Sequence, residues 1–344
     1  MARLALVSFR LGGNDGVSIE AQKWTDALLS LGHEVIWVAG EGPVDVVISG
    51  LAIEAVDAPS LEQFERALEG VDLVIVENVA SLPLNVPARD VLYQALEGRR
   101  VIFHHHDLAW QREHLAHLDG PRGAPGWFHV TINDISRGQL RERGIDALTM
   151  RNSFDCDPPR GRRAMARLEL GVDAQYVVLL ASRALERKNI AGALRLAGAL
   201  DAVLWILGPG EDGYEQTLER LLAASDVDVR RGLHGDVTVH DAYAACDLVV
   251  MPSTWEGFGN PVLESVTHRR PLALYPYPVA REIMRFGFDF FDLEEVAGIA
   301  AFLKAPDRAR LERNLDIARA HFNIHDLGAQ LRALLATAGI SSDY

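Results

Sequence analysis

The chain has 344 residues, with 34 Lys and Arg against 48 Asp and Glu and a formal net charge of −14. That balance argues against a nucleic-acid partner, which needs clustered cations for its phosphates, and against tight docking on an anionic membrane, which needs a basic amphipathic helix. The length suits two domains, and neither a signal-peptide pattern nor an apolar run long enough to cross a bilayer appears, so no membrane insertion is expected. Cys156 and Cys246 are far apart and in no metal or redox spacing, which suits a reducing cytoplasm.

Apolar runs alternate with helical spacing, the pattern of parallel sheets covered on both faces. Leu4–Phe9 predicts a strand that enters the loop Leu11-Gly12-Gly13-Asn14-Asp15-Gly16-Val17-Ser18, and Ile19–Leu31 then predicts a helix stopped at Gly32. Glycines here let the backbone approach a ligand, although a tight turn needs them equally. His33–Ala39, Val71–Glu77, Arg100–His105 and Phe128–Ile132 complete a first series of strands. His104-His105-His106-Asp107 ends one of them, and alternation sends His104 and His106 to one face and His105 to the other. A metal site that draws in His114 and His117 is the rival use, but no helical H-E-x-x-H is present. The long polar segment Leu108–Trp127 offers Trp110 and Arg112 as candidates for an acceptor wall, or is an ordinary surface excursion.

Arg151–Arg163, with Pro158-Pro159 and Gly161, predicts a linker; its Asp155-Cys156-Asp157 lies outside any strand end, where an Asp-x-Asp is accidental. A second series of strands follows at Tyr176–Ser182, Ala202–Leu207, Asp228–Arg230, Asp247–Met251 and Pro271–Tyr275. Ser182–Asn189 places Arg183, Arg187 and Lys188 just after the first of these; cations sit badly at a helix start unless an anion joins them, and Arg187 is read as solvated. Gly208-Pro209-Gly210-Glu211-Asp212-Gly213 fits G-x-G-x-x-G, yet Glu211 and Asp212 would repel a pyrophosphate and Pro209 removes a donor. The tail from about Asp307 to Ala338 predicts helix, with Leu327, Leu331, Leu334 and Leu335 on one face.

Trp255-Glu256-Gly257-Phe258-Gly259-Asn260-Pro261-Val262-Leu263-Glu264 carries the most information. It follows a buried strand, turns on glycine, and enters a helix with Asn260 expected as N-cap and Pro261 at the first helical position. Free backbone N–H groups and the helix dipole make such a turn an anion site. Glu264, expected in the first helical turn, can accept a ribose diol, and Glu256 at the lip of the loop can accept sugar hydroxyls. In a bland reading the two carboxylates only complement the dipole and the solvent.

This segment closely resembles the E-x7-E signature of retaining glycosyltransferases of the large family 4 (glycosyltransferase group 1), which have the GT-B fold. The resemblance covers nearly the whole chain, loosely in the first half and sharply from Ala181 to Pro278. It implies an α/β architecture of two Rossmann-like domains facing across a cleft, with the C-terminal helix crossing back to the first domain. The corresponding boundaries are 1–155 for an acceptor domain, 156–320 for a nucleotide-sugar donor domain, and 321–344 for the returning helix. It implies that Arg183 and Lys188 grip the donor diphosphate, where fixed cations stabilise the charge that develops on the leaving group. Glu256 and His106 would meet the donor sugar, and Glu264 the ribose. Gly257, Phe258, Gly259 and Asn260 would contact sugar and phosphates, and Gly13 and Gly16 the donor phosphates or the acceptor.

The implied activity is metal-independent transfer of a hexosyl group from a nucleotide-diphosphate sugar to an acceptor hydroxyl, with retained configuration, no covalent nucleophile and no bound cofactor. The acceptor, small molecule or glycan, the base and sugar of the donor, and the oligomeric state are not encoded in these motifs. A nucleotide-sugar epimerase, an α-glucan phosphorylase and a non-catalytic nucleotide-sugar-binding protein share the fold. Turnover separates them, because an epimerase needs no acceptor and a binding protein gives no product.

Overall fold

The structure is a computed structural model that describes residues 1–211 and 213–340. It divides into two compact units, Met1–Asn152 with His325–Tyr344, and Ser153–Ile324. The sequence placed the corresponding boundaries at 155/156 and 320/321.

The first unit opens with β1 (Arg3–Arg10), α1 (Gly16–Ser30), β2 (Glu34–Glu41), β3 (Val46–Val47), α2 (Leu61–Ala67), β4 (Leu73–Glu77) and α3 (Val86–Ala95). It continues with β5 (Val101–His105), β6 (Trp127–Thr131), α4 (Asp134–Glu142) and β7 (Ala147–Thr149). Its seven strands are all parallel in the order β3-β2-β1-β4-β5-β6-β7. The order reverses between β1 and β4, and a ligand crevice in such a sheet lies outside the carboxyl ends at that point.

The second unit runs α5 (Arg163–Glu169), β8 (Val177–Leu180), α6 (Ile190–Ala199), β9 (Val203–Ile206), α7 (Glu215–Ala223), β10 (Val229–Arg231) and α8 (Val239–Ala245). Then come β11 (Leu248–Met251), α9 (Asn260–Thr267), β12 (Leu272–Leu274), α10 (Pro278–Met284), β13 (Phe291–Asp292), α11 (Val296–Lys304) and α12 (Arg308–His321). The strands are again parallel, in the order β10-β9-β8-β11-β12-β13, with the reversal between β8 and β11. The chain ends its helices with α13 (Leu327–Thr337), which packs on α1 in the first unit. Its buried face is Leu327, Leu331, Leu334 and Leu335, the stripe expected from the spacing.

Each sheet is apolar along whole strands because helices cover both faces. In the first unit Ala5, Val7, Val74, Val76, Val101 and Phe103 meet Phe64, Leu68 and Leu92 from the helices. In the second, Val178, Leu180, Leu204, Ile206, Leu248 and Val250 meet Ile190, Ala193 and Leu218. Each fully buried aliphatic side chain of this kind stabilises by about 1.5–3 kcal/mol relative to exposure.

The predicted linker does not run free. Asp247, at the start of β11, accepts from Arg163 Nη2 and Arg167 Nη2 at 2.6 Å each and from the Val177 N–H at 2.9 Å, which pins α5 to the sheet base. Arg162 pairs with Asp241 at 2.8 Å.

Candidate active site

In the second unit the predicted donor residues gather at the carboxyl ends of β8 and β11, the two strands that flank the reversal. Arg183 follows β8 and pairs with Glu211 Oε2 at 2.6 Å. The loop after β9 reaches it by backbone: the Ala184 N–H donates to Pro209 O at 2.8 Å and the Glu211 N–H to Ala184 O at 3.2 Å. A Cβ on Gly208 would lie 2.5 Å from Arg183 Cα, so this approach requires glycine. The G-x-G-x-x-G string thus presents its Glu211 to an arginine and braces the β8 loop; its Asp212 lies outside the described residues.

Lys188 ends a 3₁₀ turn, Glu186–Lys188, and is buried with Nζ 2.6 Å from Glu256 Oε1. Arg187, read from the sequence as solvated, is half-buried and paired instead. Its Nη1 lies 2.5 Å from Glu256 Oε2 and 3.1 Å from Trp255 O, because the β11 loop folds over this turn. Burial pushes the Glu256 carboxyl up, but Lys188 and Arg187 outweigh it and hold the group below the usual carboxylate range. Glu256 is therefore a buried anion between two cations rather than a carboxylate at the lip of a loop.

The turn after β11 differs from expectation by one residue. Gly259, at φ 94°, is the cap of α9, and Asn260 is its first helical residue. The cause is Tyr277, whose hydroxyl donates to Phe258 O at 2.8 Å and would lie 2.0 Å from a Cβ at position 259. Glu264 consequently falls just beyond the first helical turn, where no acidic residue is found. Its Oε2 accepts from the buried Tyr243 hydroxyl at 2.6 Å, a partner from α8 that sequence spacing does not signal. The Phe258 ring is buried against Phe154 and Phe322, so its side chain anchors the loop and only its backbone lies along the turn with Gly257.

In the first unit, Asp15 caps α1 by accepting from the N–H groups of Val17 and Ser18 at 3.1 and 3.2 Å. The first donors of this helix thus already hold a carboxylate, and Gly13 and Gly16 flank it.

The histidine strand divides as alternation requires. His105 Nε2 lies 2.9 Å from His129 Nδ1 on one face. On the other, His104 Nδ1 and His106 Nε2 approach the same atom, Glu77 Oε2, at 2.9 and 2.7 Å. All three are buried, and the His104 ring stacks on Trp24 at 4.1 Å between centroids. Asn78, at φ 64°, accepts through Oδ1 from the N–H groups of His106 and Asp107 at 2.8 and 3.0 Å, locking the ends of β4 and β5 together. Burial raises the Glu77 carboxyl, and the two histidines outweigh it and pull it down to about 2. Burial lowers His106, but the Glu77 hydrogen bond and charge, with Glu20 and Asp107, hold it above its ordinary value. Glu77, His104 and His106 bring ligand-type atoms within 4.8 Å of one another, a third partner that His114 and His117 do not supply. His106 Nε2 makes a hydrogen bond to this oxygen, and His104 Nδ1 only a close polar contact with it. The sequence reading missed Glu77 because it stood as the last residue of an apolar strand.

Trp110, from the proposed acceptor wall, donates to Gln139 Oε1 at 2.9 Å and lies under the Arg143 guanidinium at 3.8 Å; Arg112 pairs with Asp107 at 3.2 Å. No helix among the described residues is long and apolar enough to cross a membrane.

The chain is similar to known proteins in sequence and in fold. Residues 176–307 match the family model described as Glycosyl transferases group 1. The chain is similar to the mannosylglucosylglycerate synthase of Thermotoga maritima, 26% identical over 94% of this chain and 97% of the relative. It is also similar to the protein of the same name from Petrotoga mobilis, 23% identical over 84% and 86%. Among solved structures, Anabaena HepE in complex with UDP-glucose is similar with a TM-score of 0.75 and 17% identity, covering 98% of this chain and 100% of that one. Sucrose-phosphate synthase from Thermosynechococcus elongatus is similar with a TM-score of 0.74 and 16% identity, over 98% and 99%. The two-unit α/β architecture is that of the GT-B fold, as the sequence resemblance implied.

Proposed function

We propose that this chain, a group 1 glycosyltransferase acting with a nucleotide-sugar donor, moves a hexosyl group to an acceptor hydroxyl with retained configuration and without a metal. The observation that carries the reading is the pairing of Lys188, which with Arg183 follows β8, to Glu256 in the loop that leads from β11 into α9, the helix that carries Glu264. Cleavage of the sugar–phosphate bond moves negative charge onto the diphosphate, and cations fixed beforehand stabilise that state more than the ground state. Lys188 is fixed by Glu256, whereas Arg183 is half-exposed and can exchange Glu211 for phosphate. Glu264, held by Tyr243, takes the ribose, and Glu256 and His106 take the sugar. The leaving phosphate oxygen accepts the acceptor's proton on the face where the bond breaks.

The relatives' name supports a hexose donor and a small acceptor, since mannosylglucosylglycerate is a small glycoside that ends in a carboxylate. Small hydroxy acids and their glycosides are therefore the acceptor class to test first. UDP, GDP and ADP can be ranked by thermal shift: a specific ligand at a hundredfold excess over its Kd stabilises by roughly 2.7 kcal/mol. The best base, tested as its glucose and mannose conjugates with such acceptors, should give a new glycoside. Nucleotide-sugar consumption with no glycoside from any acceptor would overturn the reading.

A further inference from the structure

We propose that Glu77 is a positioning residue for catalysis: it holds the ring of His106 in one orientation and one tautomer, with the proton on Nε2, so that Nδ1 is the atom turned to the substrate. The proposal rests on the reading above, in which His106 meets the donor sugar, and adds the device that makes that contact specific.

Three observations carry it. His106 Nε2 is 2.7 Å from Glu77 Oε2, a distance that requires the proton between them. An acceptor-only carboxylate therefore fixes Nε2 as the protonated nitrogen, and Nδ1 has no hydrogen-bond partner among the described residues. The carboxylate itself cannot swing. It is fully buried at the end of β4, and its bonding oxygen also meets His104 Nδ1, whose ring is clamped against Trp24. The backbone is fixed too, since Asn78 ties the His106 and Asp107 N–H groups to the neighbouring strand end.

The charged groups that face this cluster are Glu20 of α1, itself paired with Lys23 at 2.5 Å, and Asp107 beyond β5, paired with Arg112. The partners that hold Glu77 ionised are the two histidines themselves, so its carboxylate is also what orders the His106 ring. Neutral His106 then offers a lone pair at Nδ1, and protonated His106 a charged donor at the same place. Orientation is preserved in both states.

The test compares Glu77→Gln, Glu77→Asp, His106→Ala and the double variant Glu77→Gln/His106→Ala in the full chain, with kcat, donor KM and melting temperature for each. Ring-nitrogen NMR of His106 accompanies wild type and Glu77→Gln. A glutamine can donate to Nε2 and so releases the tautomer. The expected result is a fall in kcat on the order of a hundredfold for Glu77→Gln, donor KM within a few-fold, and partial recovery in Glu77→Asp. NMR should show the Nε2–H form in wild type and its loss in Glu77→Gln. The double variant should be no worse than His106→Ala. If His106→Ala is inactive while Glu77→Gln keeps wild-type kcat, the positioning role is overturned and the placement of His106 stands. If His106→Ala is itself active, the reading of His106 falls with it. Should Glu77→Gln fail to fold, the wild-type tautomer decides alone, and an Nδ1–H form contradicts the proposal.

Discussion

Lys188 Nζ lies 2.6 Å from Glu256 Oε1, so the cation assigned to the donor diphosphate and the carboxylate assigned to the donor sugar are partners of each other. Both are buried, and Arg187 closes the other carboxylate oxygen. The E-x7-E turn is thereby tied to the β8 loop before any substrate contact is made. Such coupling keeps the site rigid, and it makes single substitutions costly in two ways.

Removing one member leaves the other charge buried. Lys188→Ala should destabilise the fold by about 3–5 kcal/mol as well as lower kcat by on the order of a hundredfold or more. Lys188→Met combined with Glu256→Gln should recover most of the stability and none of the activity. Denaturant unfolding and steady-state kinetics on the same preparations separate the two effects. Wild-type stability in Lys188→Ala would contradict the coupling.

Arg183 and Glu211 form a half-exposed pair, worth at most about 1 kcal/mol to stability. Glu211→Gln should leave the melting temperature nearly unchanged and tighten nucleoside-diphosphate binding a few-fold, because the phosphate no longer competes with a carboxylate. Arg183→Ala should lower kcat by on the order of a hundredfold. Weaker binding in Glu211→Gln would mean that Glu211 orients Arg183 for the phosphate.

Tyr243 donates to Glu264 at 2.6 Å, and its phenol is pushed well up, chiefly by burial and then by that carboxylate. Tyr243→Phe should raise donor KM several-fold with kcat little changed, since the ribose contact exists before and during reaction. Glu264→Gln should act in the same direction and more strongly, and Glu256→Gln mainly on kcat. The reverse split would mean that the two carboxylates are assigned to the wrong ends of the donor.

Acid sensitivity follows from the buried histidines. Burial lowers His129 to about 4, and burial likewise lowers His268 to about 4. Each stays neutral in the fold while the unfolded chain takes a proton below about 6.5. Their contribution is present above that value and is lost as pH falls toward about 4, by about 1.4 kcal/mol per pH unit per group. His106, held above its ordinary value, works in the opposite sense and loses its contribution as pH rises. Urea midpoints should fall steadily from pH 6.5 to 4.5. A flat profile across that window would contradict these environments.

Much of this was legible because long apolar strands and glycine turns report directly on backbone geometry. The strands from Leu4, Val71 and Asp247 read cleanly, while β3, β7 and β13 are two or three residues long and carry no periodicity. Spacing and the family resemblance pointed to Glu256, Glu264, Arg183 and Lys188 as candidates. They did not point to Glu77 or Tyr243, because each reaches its partner from another element, β4 and α8 respectively. Arg187 looked like a solvated charge until the β11 loop folded over it, and Asn260 lost the cap to Gly259 because of Tyr277, seventeen residues on in the turn's own covering layer.

The central claim is retaining transfer from a nucleotide sugar, and proton NMR of the first product formed from an α-linked donor tests it most directly. The anomeric coupling reports configuration before any later rearrangement. The account predicts an α-linked glycoside, formed with acceptor-side attack on the face of the leaving phosphate. A β-linked product would contradict it, and would make the Glu77–His106 pair a general base acting from the opposite face.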